Sequence, residues 1–295
     1  MDRERLLAAA PLVAAALWGG MYVVSKWGFD AVPPLTLAFL RVALGAATLY
    51  AVVRASTPAR SFSRAEWRRF AALAVFVTGA LTTQFVGTDL TNASQGSLLT
   101  VSTPLFVLAL GVGVLDERLT ARKAGGAALA AVGALVVLAG QYDLAALADG
   151  ALLGVGLLLA SALCFAAFTV YAKPLVRRYS ALETATYATV LSVPLFGAFV
   201  PFEYALSPGA FATVPLTLPV LGAVVYLGVF STALAWYCWY KGMEYADAST
   251  VAVFFFAQPV VGVLLGVAFL GEGLSPGFLL GAVLLAAGTL LVNTE

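Results

Sequence analysis

The chain has 295 residues, of which 62% are hydrophobic and 11% charged, and its formal net charge is +1. Ordinary soluble domains carry about 25% charged residues, so too few charges are present to cover a core of this size in water. Apolar runs of roughly 20 residues recur, each able to cross about 30 Å of hydrocarbon as a helix. The sequence describes an all-α integral membrane protein whose surroundings are a lipid bilayer, with no nucleic acid among its expected partners.

Ten transmembrane helices are predicted, over roughly residues 6–28, 35–53, 68–88, 92–115, 122–140, 150–173, 182–203, 216–240, 246–270 and 276–293. Strands are disfavoured, because the segments are long and lack period-two alternation and irregular backbone in lipid leaves polar groups unpaired. The first helix carries Trp18, Tyr22 and, near its far end, Lys26. Its apolar run is too long for a signal-peptide h-region of about 7–15 residues, so it is expected to be retained. The second helix holds Arg41, where a charge is costly and marks function by default. Snorkelling to the outer surface, or pairing with a carbonyl, is the structural alternative for Arg41, and Lys26 has the same two readings.

Helix three offers Thr78, Thr82, Thr83 and Gln84. In helix four Asn92, Gln95, Leu99, Ser102 and Phe106 fall on one stripe by steps of three or four, facing either a neighbouring helix or a watery cavity. Pro104 there, and Pro259 in helix nine, each remove a helical hydrogen bond and are expected to kink their helices, as hinges or as static bends. Helix eight is aromatic, with Trp236, Tyr237, Trp239 and Tyr240. These form either an interfacial belt or a slot in which Trp236 or Tyr237 stacks on a solute, completed by Trp18, Tyr22 and Tyr171 of helix six. Gln258, beside the second proline, is the leading candidate for a polar contact with substrate. Cys164 and Cys238 lie inside apolar runs and are expected to be inert thiols.

Charge sets the orientation. Arg3, Arg5, the arginines from Arg54 to Arg69, Arg118, Arg122, Lys123, Lys173, Arg177, Arg178 and Lys241 all fall on one side if the helices alternate. By the positive-inside rule that side, with both termini, is cytoplasmic, and the expected location is the cell membrane.

The chain also repeats itself. Residues 104–137 align without a gap on residues 259–292, bringing Pro104 onto Pro259, Glu117 onto Glu272, Gly126 onto Gly281 and Gly133 onto Gly288. Two units are predicted, 1–140 and 150–295, each of five helices. An odd number of spans inverts the second unit, giving the inverted-topology repeat of secondary transporters, with substrate near the midplane. Glu117 lies in a basic turn and Glu272 in a turn without Lys or Arg, and both are read as caps. Gly150–Gly154, Gly262–Gly266 and Gly277–Gly281 have the spacing of close helix packing, inside a monomer or in a homodimer through helices five and ten.

These features resemble the drug/metabolite transporter superfamily, specifically its two-module EamA-type members. The resemblance is carried by Leu17-Trp18-Gly19, Arg41, Pro104, Asp116-Glu117-Arg118-Leu119-Thr120, Gln258-Pro259 and Gly271-Glu272-Gly273-Leu274-Ser275. It implies a carrier of amino acids, sugars, nucleotide-type metabolites or small drugs, frequently an exporter. The second module departs from the pattern by reading Cys164-Phe165-Ala166 in place of Trp-Gly, so any role of Trp18 belongs to one module.

The expected function is alternating-access transport of small organic metabolites. Amino acids are preferred because the candidate cavity is rich in aromatic residues. A phosphorylated solute would need a cluster of inward-facing Lys or Arg. The chain has no His and no carboxylate near a predicted helix centre. Proton relays use such groups, so a facilitator, or coupling through carboxylates at helix ends, is expected. No cofactor or metal is expected. An intramembrane enzyme is disfavoured by the lack of a Gly-x-Ser-x-Gly elbow, a His pair or a phosphate-binding loop.

Overall fold

A computed structural model of the chain describes residues 7–58, 60–91, 99, 102–141, 152–206, 217–258, 260–261, 264–265 and 276–293. Every regular element among them is helical. In chain order they are α1 (Ala10–Phe29), α2 (Pro34–Ser56), α3 (Arg64–Leu90), α4 (Ser102–Leu115), α5 (Ala121–Gln141), α6 (Leu152–Arg178), α7 (Ala181–Leu206), α8 (Leu218–Tyr245), α9 (Ala248–Ala252, continued as a 3₁₀ turn over Val253–Phe256) and α10 (Pro276–Asn293). Among the described residues α2, α3, α6, α7 and α8 are long and apolar enough to cross a membrane. Their outward positions are apolar, as at Leu152, Leu153, Leu218 and Phe202, which lipid tolerates and water does not.

Three boundaries differ from the sequence expectation for local reasons. Helix α3 begins at Arg64 rather than 68, because Ser63 and Glu66 close a capping box. Glu66 N–H donates to Ser63 Oγ at 3.3 Å and Ser63 N–H to Glu66 Oε2 at 2.7 Å, satisfying two orphan donors reciprocally. Helix α6 runs past residue 173 with Pro174 inside it, so that proline does not end the helix. Helix α8 continues to Tyr245, where Lys173 Nζ donates to the Met243 and Ala246 carbonyls. A cation on the last carbonyls of a helix satisfies them and complements its dipole.

The helices pack as α1 on α8 and α9, α3 on α6 and α7, α2 on α7 and α8, α4 on α6 and α9, and α5 on α10. Glycine permits two of these approaches. A Cβ on Gly19 would stand 2.8 Å from the Gln258 carbonyl oxygen of α9, and one on Gly45 of α2 would meet Thr232 Cβ at 2.8 Å and the Gly228 carbonyl at 3.0 Å. The Gly19 approach brings α1 against α9, and the Gly45 approach seats α2, with its Arg41, against α8.

One end of the bundle is tied together by charge. Arg60 pairs with Glu183 at 3.6 Å, Arg178 with Glu66 at 3.1 Å, and Asp247 with Lys123 at 2.9 Å and Arg177 at 3.9 Å. These contacts join the α2–α3, α4–α5, α6–α7 and α8–α9 turns. Beside them Phe62, Trp67, Phe70, Tyr179 and Tyr187 pack largely edge to face, with centroids as close as 4.7 Å. The carboxylates also cap helices other than their own. Glu117 accepts from the Ala248 and Ser249 N–H groups and the Ser249 hydroxyl at the start of α9. At the other end Glu203 accepts from Leu35 N–H, Thr36 N–H and Thr36 Oγ at 2.8, 2.8 and 2.7 Å.

Candidate functional site

Between α1, α2, α3, α4, α6 and α9 lies a polar cavity with about 20 Å³ of free space, room for about one water molecule. Helix α1 contributes Trp18, Met21 and Tyr22 to its wall, α2 contributes Arg41 and α3 contributes Gln84. Thr103 of α4, Ser161 and Phe165 of α6, and Phe255 and Gln258 of α9 close it. Trp18 stacks on Phe255 with centroids 5.4 Å apart and planes 16° off parallel, and Phe165 lies 6.0 Å away. One side of the cavity is therefore aromatic.

Behind Arg41 stands an irregular stretch of α8, which holds that wall residue in place without itself lining the cavity. Over Tyr226–Leu234 the backbone is a π-helix, and Thr232 Oγ donates to the Leu227 carbonyl five residues back, at 2.8 Å. Such stretches are rare and recur at functional sites. Here the Ser231 carbonyl receives Trp18 Nε1 at 2.9 Å and an Arg41 terminal nitrogen at 3.1 Å. Arg41 Nε also donates to Thr232 Oγ at 2.8 Å, and its other terminal nitrogen meets the Met21 sulfur. The Phe85 ring lies 5.5 Å from the guanidinium carbon. Arg41 is fully buried, and none of the ion pairs among the described residues includes it. Snorkelling to the surface is thus not what this arginine does.

Gln84 is 6% exposed. One end of its amide donates to Tyr22 Oη at 2.8 Å, and the other has no hydrogen-bond partner. Ser161 Oγ is spent on the Ala80 carbonyl at 2.8 Å, tying α6 to α3.

Of the residues singled out from sequence, Trp18, Tyr22, Arg41, Gln84 and Gln258 meet in this cavity. Four others stand elsewhere. Tyr171 is 45% exposed and stacks on Phe76 at 5.4 Å on the outside of the bundle. Trp236 is 1% exposed and packs on Phe168 at 5.8 Å, within the core and away from the cavity wall. Tyr237 borders a separate, open depression of about 680 Å³ between α2 and α8, with Lys241 and Glu244 at its lip. Ser102 Oγ donates to the Leu99 carbonyl of its own helix at 2.6 Å, and its neighbour Thr103 takes the place at the cavity. Trp239 and Tyr240, read as belt candidates, are buried at 1% and 0%. Trp239 lies 4.4 Å from Phe255 and supports the aromatic wall from behind.

Lys26 caps α3, donating to the Thr88, Asp89 and Thr91 carbonyls at 3.4, 3.0 and 3.4 Å. Pro104 is buried in α4, whereas Gln95 and Pro259 lie outside the described residues. Sequence reasoning missed Met21, Ser161, Phe165 and Phe255, whereas Thr103 stands in the sequence beside Ser102 as a polar residue of helix four. Ser161 carried a legible signal, as a hydroxyl inside the apolar run 152–168.

Among the described residues, apolar helices long enough to cross a membrane surround a small cavity lined by polar and aromatic side chains. The EamA-like transporter family matches residues 6–139 and again 152–294, and the chain belongs to that family. An "Uncharacterized transporter" of Archaeoglobus fulgidus is 28% identical over 95% of this chain and 96% of its own. A "Probable amino-acid metabolite efflux pump" of Salmonella typhimurium is 27% identical over 94% and 91%. A "Probable terminal-alkyne amino-acid exporter" of Streptantibioticus cattleyicolor is 32% identical over 68% and 64%. A solved crystal structure superposes with a TM-score of 0.75, covering 97% of this chain and 96% of that one, at 21% identity; this likeness is one of fold.

Proposed function

We propose that the protein is an alternating-access carrier, working as an exporter of amino acids or closely related metabolites. In this reading ten spans form two five-helix modules, 1–140 and 150–295, inverted with respect to each other, with both termini cytoplasmic in the cell membrane. The observation that carries the reading is the central cavity, lined by polar and aromatic groups from both halves and too small in this conformation to admit a solute. Transport would require the helices to move.

The helix contacts support the module exchange. Raising each helix number by five, counted cyclically, turns the α3–α6 contact into α8–α1, α3–α7 into α8–α2 and α4–α6 into α9–α1, all of which occur. Side chains follow the same rule. Lys26 of α1 caps the α3 carbonyls at Thr88 and Thr91, and Lys173 of α6 caps α8 at Met243 and Ala246, positions 155 residues further on. The basic turns linked by ion pairs at one end support a cytoplasmic placement of that end. Packing of α5 on α10 within the chain, with Gly288 against Gly126 and Ala130, supports a monomer over a dimer through those helices. The names of the Salmonella and Streptantibioticus relatives support amino acids as the cargo.

Counterflow in proteoliposomes loaded with each amino acid tests the reading. Saturable exchange with at least one of them, reduced by Gln258→Ala, is the expected result. Saturable exchange with sugars or nucleotides alone would transfer the cargo to that class. Linear, non-saturating flux would mean a pore.

A further inference from the structure

We infer that Arg41 is the anchor for the carboxylate of an α-amino acid and that the free end of the Gln84 amide receives its ammonium group. This rests on the cavity being the solute site. The argument starts from an imbalance of charge. A guanidinium offers five N–H donors and accepts nothing, and a buried charge is retained only where it is paired or fully hydrogen-bonded. Arg41 is solvated along one edge by neutral oxygens of the π-helical stretch, namely Thr232 Oγ, the Ser231 carbonyl and, at 3.4 Å, Ser231 Oγ. Its remaining terminal nitrogen finds the Met21 sulfur, a weak acceptor. No described carboxylate pairs with it. The protein thus holds the edge nearer α8 rigidly and leaves the Met21 side without an anion.

The second imbalance is independent of the first and faces the same space. Gln84 is buried, its amide is half spent on Tyr22, and the other half has no partner. Buried polar atoms without partners are few in native proteins and call for an explanation. Both groups line one cavity, whose free space is about 20 Å³ in this conformation. A ligand carrying an acceptor anion beside a donor cation answers both. The stacked Trp18 and Phe255, with Phe165, offer an apolar wall to its side chain. A phosphate dianion fits poorly, because Arg41 is the single cation lining the cavity.

The test uses wild-type protein in proteoliposomes and, for each amino acid that exchanges, three competitors: its α-amide, its decarboxylated amine and its deaminated acid. Loss of the carboxylate removes a charge-assisted pair, so the amide and the amine are expected to compete on the order of a hundredfold more weakly than the parent. Deletion of the amino group is expected to cost about tenfold. In Arg41→Gln the gap between parent and amide should collapse, whereas Arg41→Lys should keep part of it. The wild-type comparison stands even if neither variant folds. Amides or amines that compete as well as the parent in wild type would overturn the Arg41 assignment, and equal competition by the deaminated acid would overturn the Gln84 assignment. Saturable exchange of sugars with no amino acid recognised would sink this inference and leave the carrier standing, whereas non-saturable flux of every solute would sink the carrier reading itself.

Discussion

Trp18 illustrates how one residue can serve both fold and site. Its indole N–H holds the Ser231 carbonyl and its ring forms the cavity wall against Phe255. Trp18→Phe keeps the ring and drops the donor, so a loss of about 1 kcal/mol is expected, the net worth of one hydrogen bond. Trp236→Ala is expected to cost more, about 3–5 kcal/mol, because it empties a fully buried position. Thermal unfolding in detergent reads both, and only Trp18→Phe should also change solute affinity. Asp247 carries the clearest dependence on pH. Partial burial pulls its carboxyl upward, but the hydrogen bond and charge of Lys123, with Lys173 and Arg177 behind, carry it below the ordinary range. A carboxylate lowered on folding adds stability above its unfolded value of about 4 and gives that stability up as the pH drops through the lower folded value. Unfolding temperatures measured from pH 6 to pH 3 should therefore decline more steeply in wild type than in Asp247→Asn. The difference is expected to be small, since the Asp247 side chain is 43% exposed and solvent screens such pairs.

Elements were more legible than their faces. Length and apolarity placed α2 and α7 within a few residues of Pro34–Ser56 and Ala181–Leu206. Trp18 and Arg41 stood out because an indole beside glycines and a lone charge are rare in such runs. What could not be read was which way α6 and α8 face. A helix apolar on every side carries no periodic signal to orient it, so the sequence leaves Tyr171 and Trp236 open between interfacial belt and solute slot, and the structure sets one on Phe76 and the other on Phe168. The π-helical stretch was equally hidden, because Tyr226–Leu234 has no composition that sets it apart from the corresponding part of α3, which is regular. Glycine is where element packing becomes testable. Gly45→Ala gains up to about 1 kcal/mol of helix preference but forces a methyl into Thr232 and the Gly228 carbonyl, and overpacking costs about 1–3 kcal/mol. A net loss of stability is expected, with Arg41 drawn from its Thr232 partner. Gly156→Ala on α6 meets nothing within 4 Å, so the same change there should leave the unfolding temperature equal or higher.

At the scale of the molecule, the proposed carrier would use the cavity and the turns at the basic end as two parts of one mechanism. A space for about one water cannot receive an amino acid, so a carrier of this build must open along at least one path. The basic end is fastened in this conformation. Glu117, on the α4–α5 turn, grips the first N–H groups of α9, and Lys123, in the first turn of α5, holds Asp247 just before them. Both contacts join a helix end of the first half to one of the second, where separation would uncover Phe255 and Gln258 farther along α9. Removing the grip should favour separation and fixing it should forbid it. In a background with Cys164 and Cys238 replaced by alanine, Glu117→Cys paired with Ser249→Cys and joined by a short bis-methanethiosulfonate, which bonds each thiol through a disulfide, is expected to abolish counterflow, with recovery on reduction. Each single variant treated with the same reagent should still exchange solute. Full exchange by the bridged protein would mean that this end does not open during transport, and that solute leaves the cavity by another route.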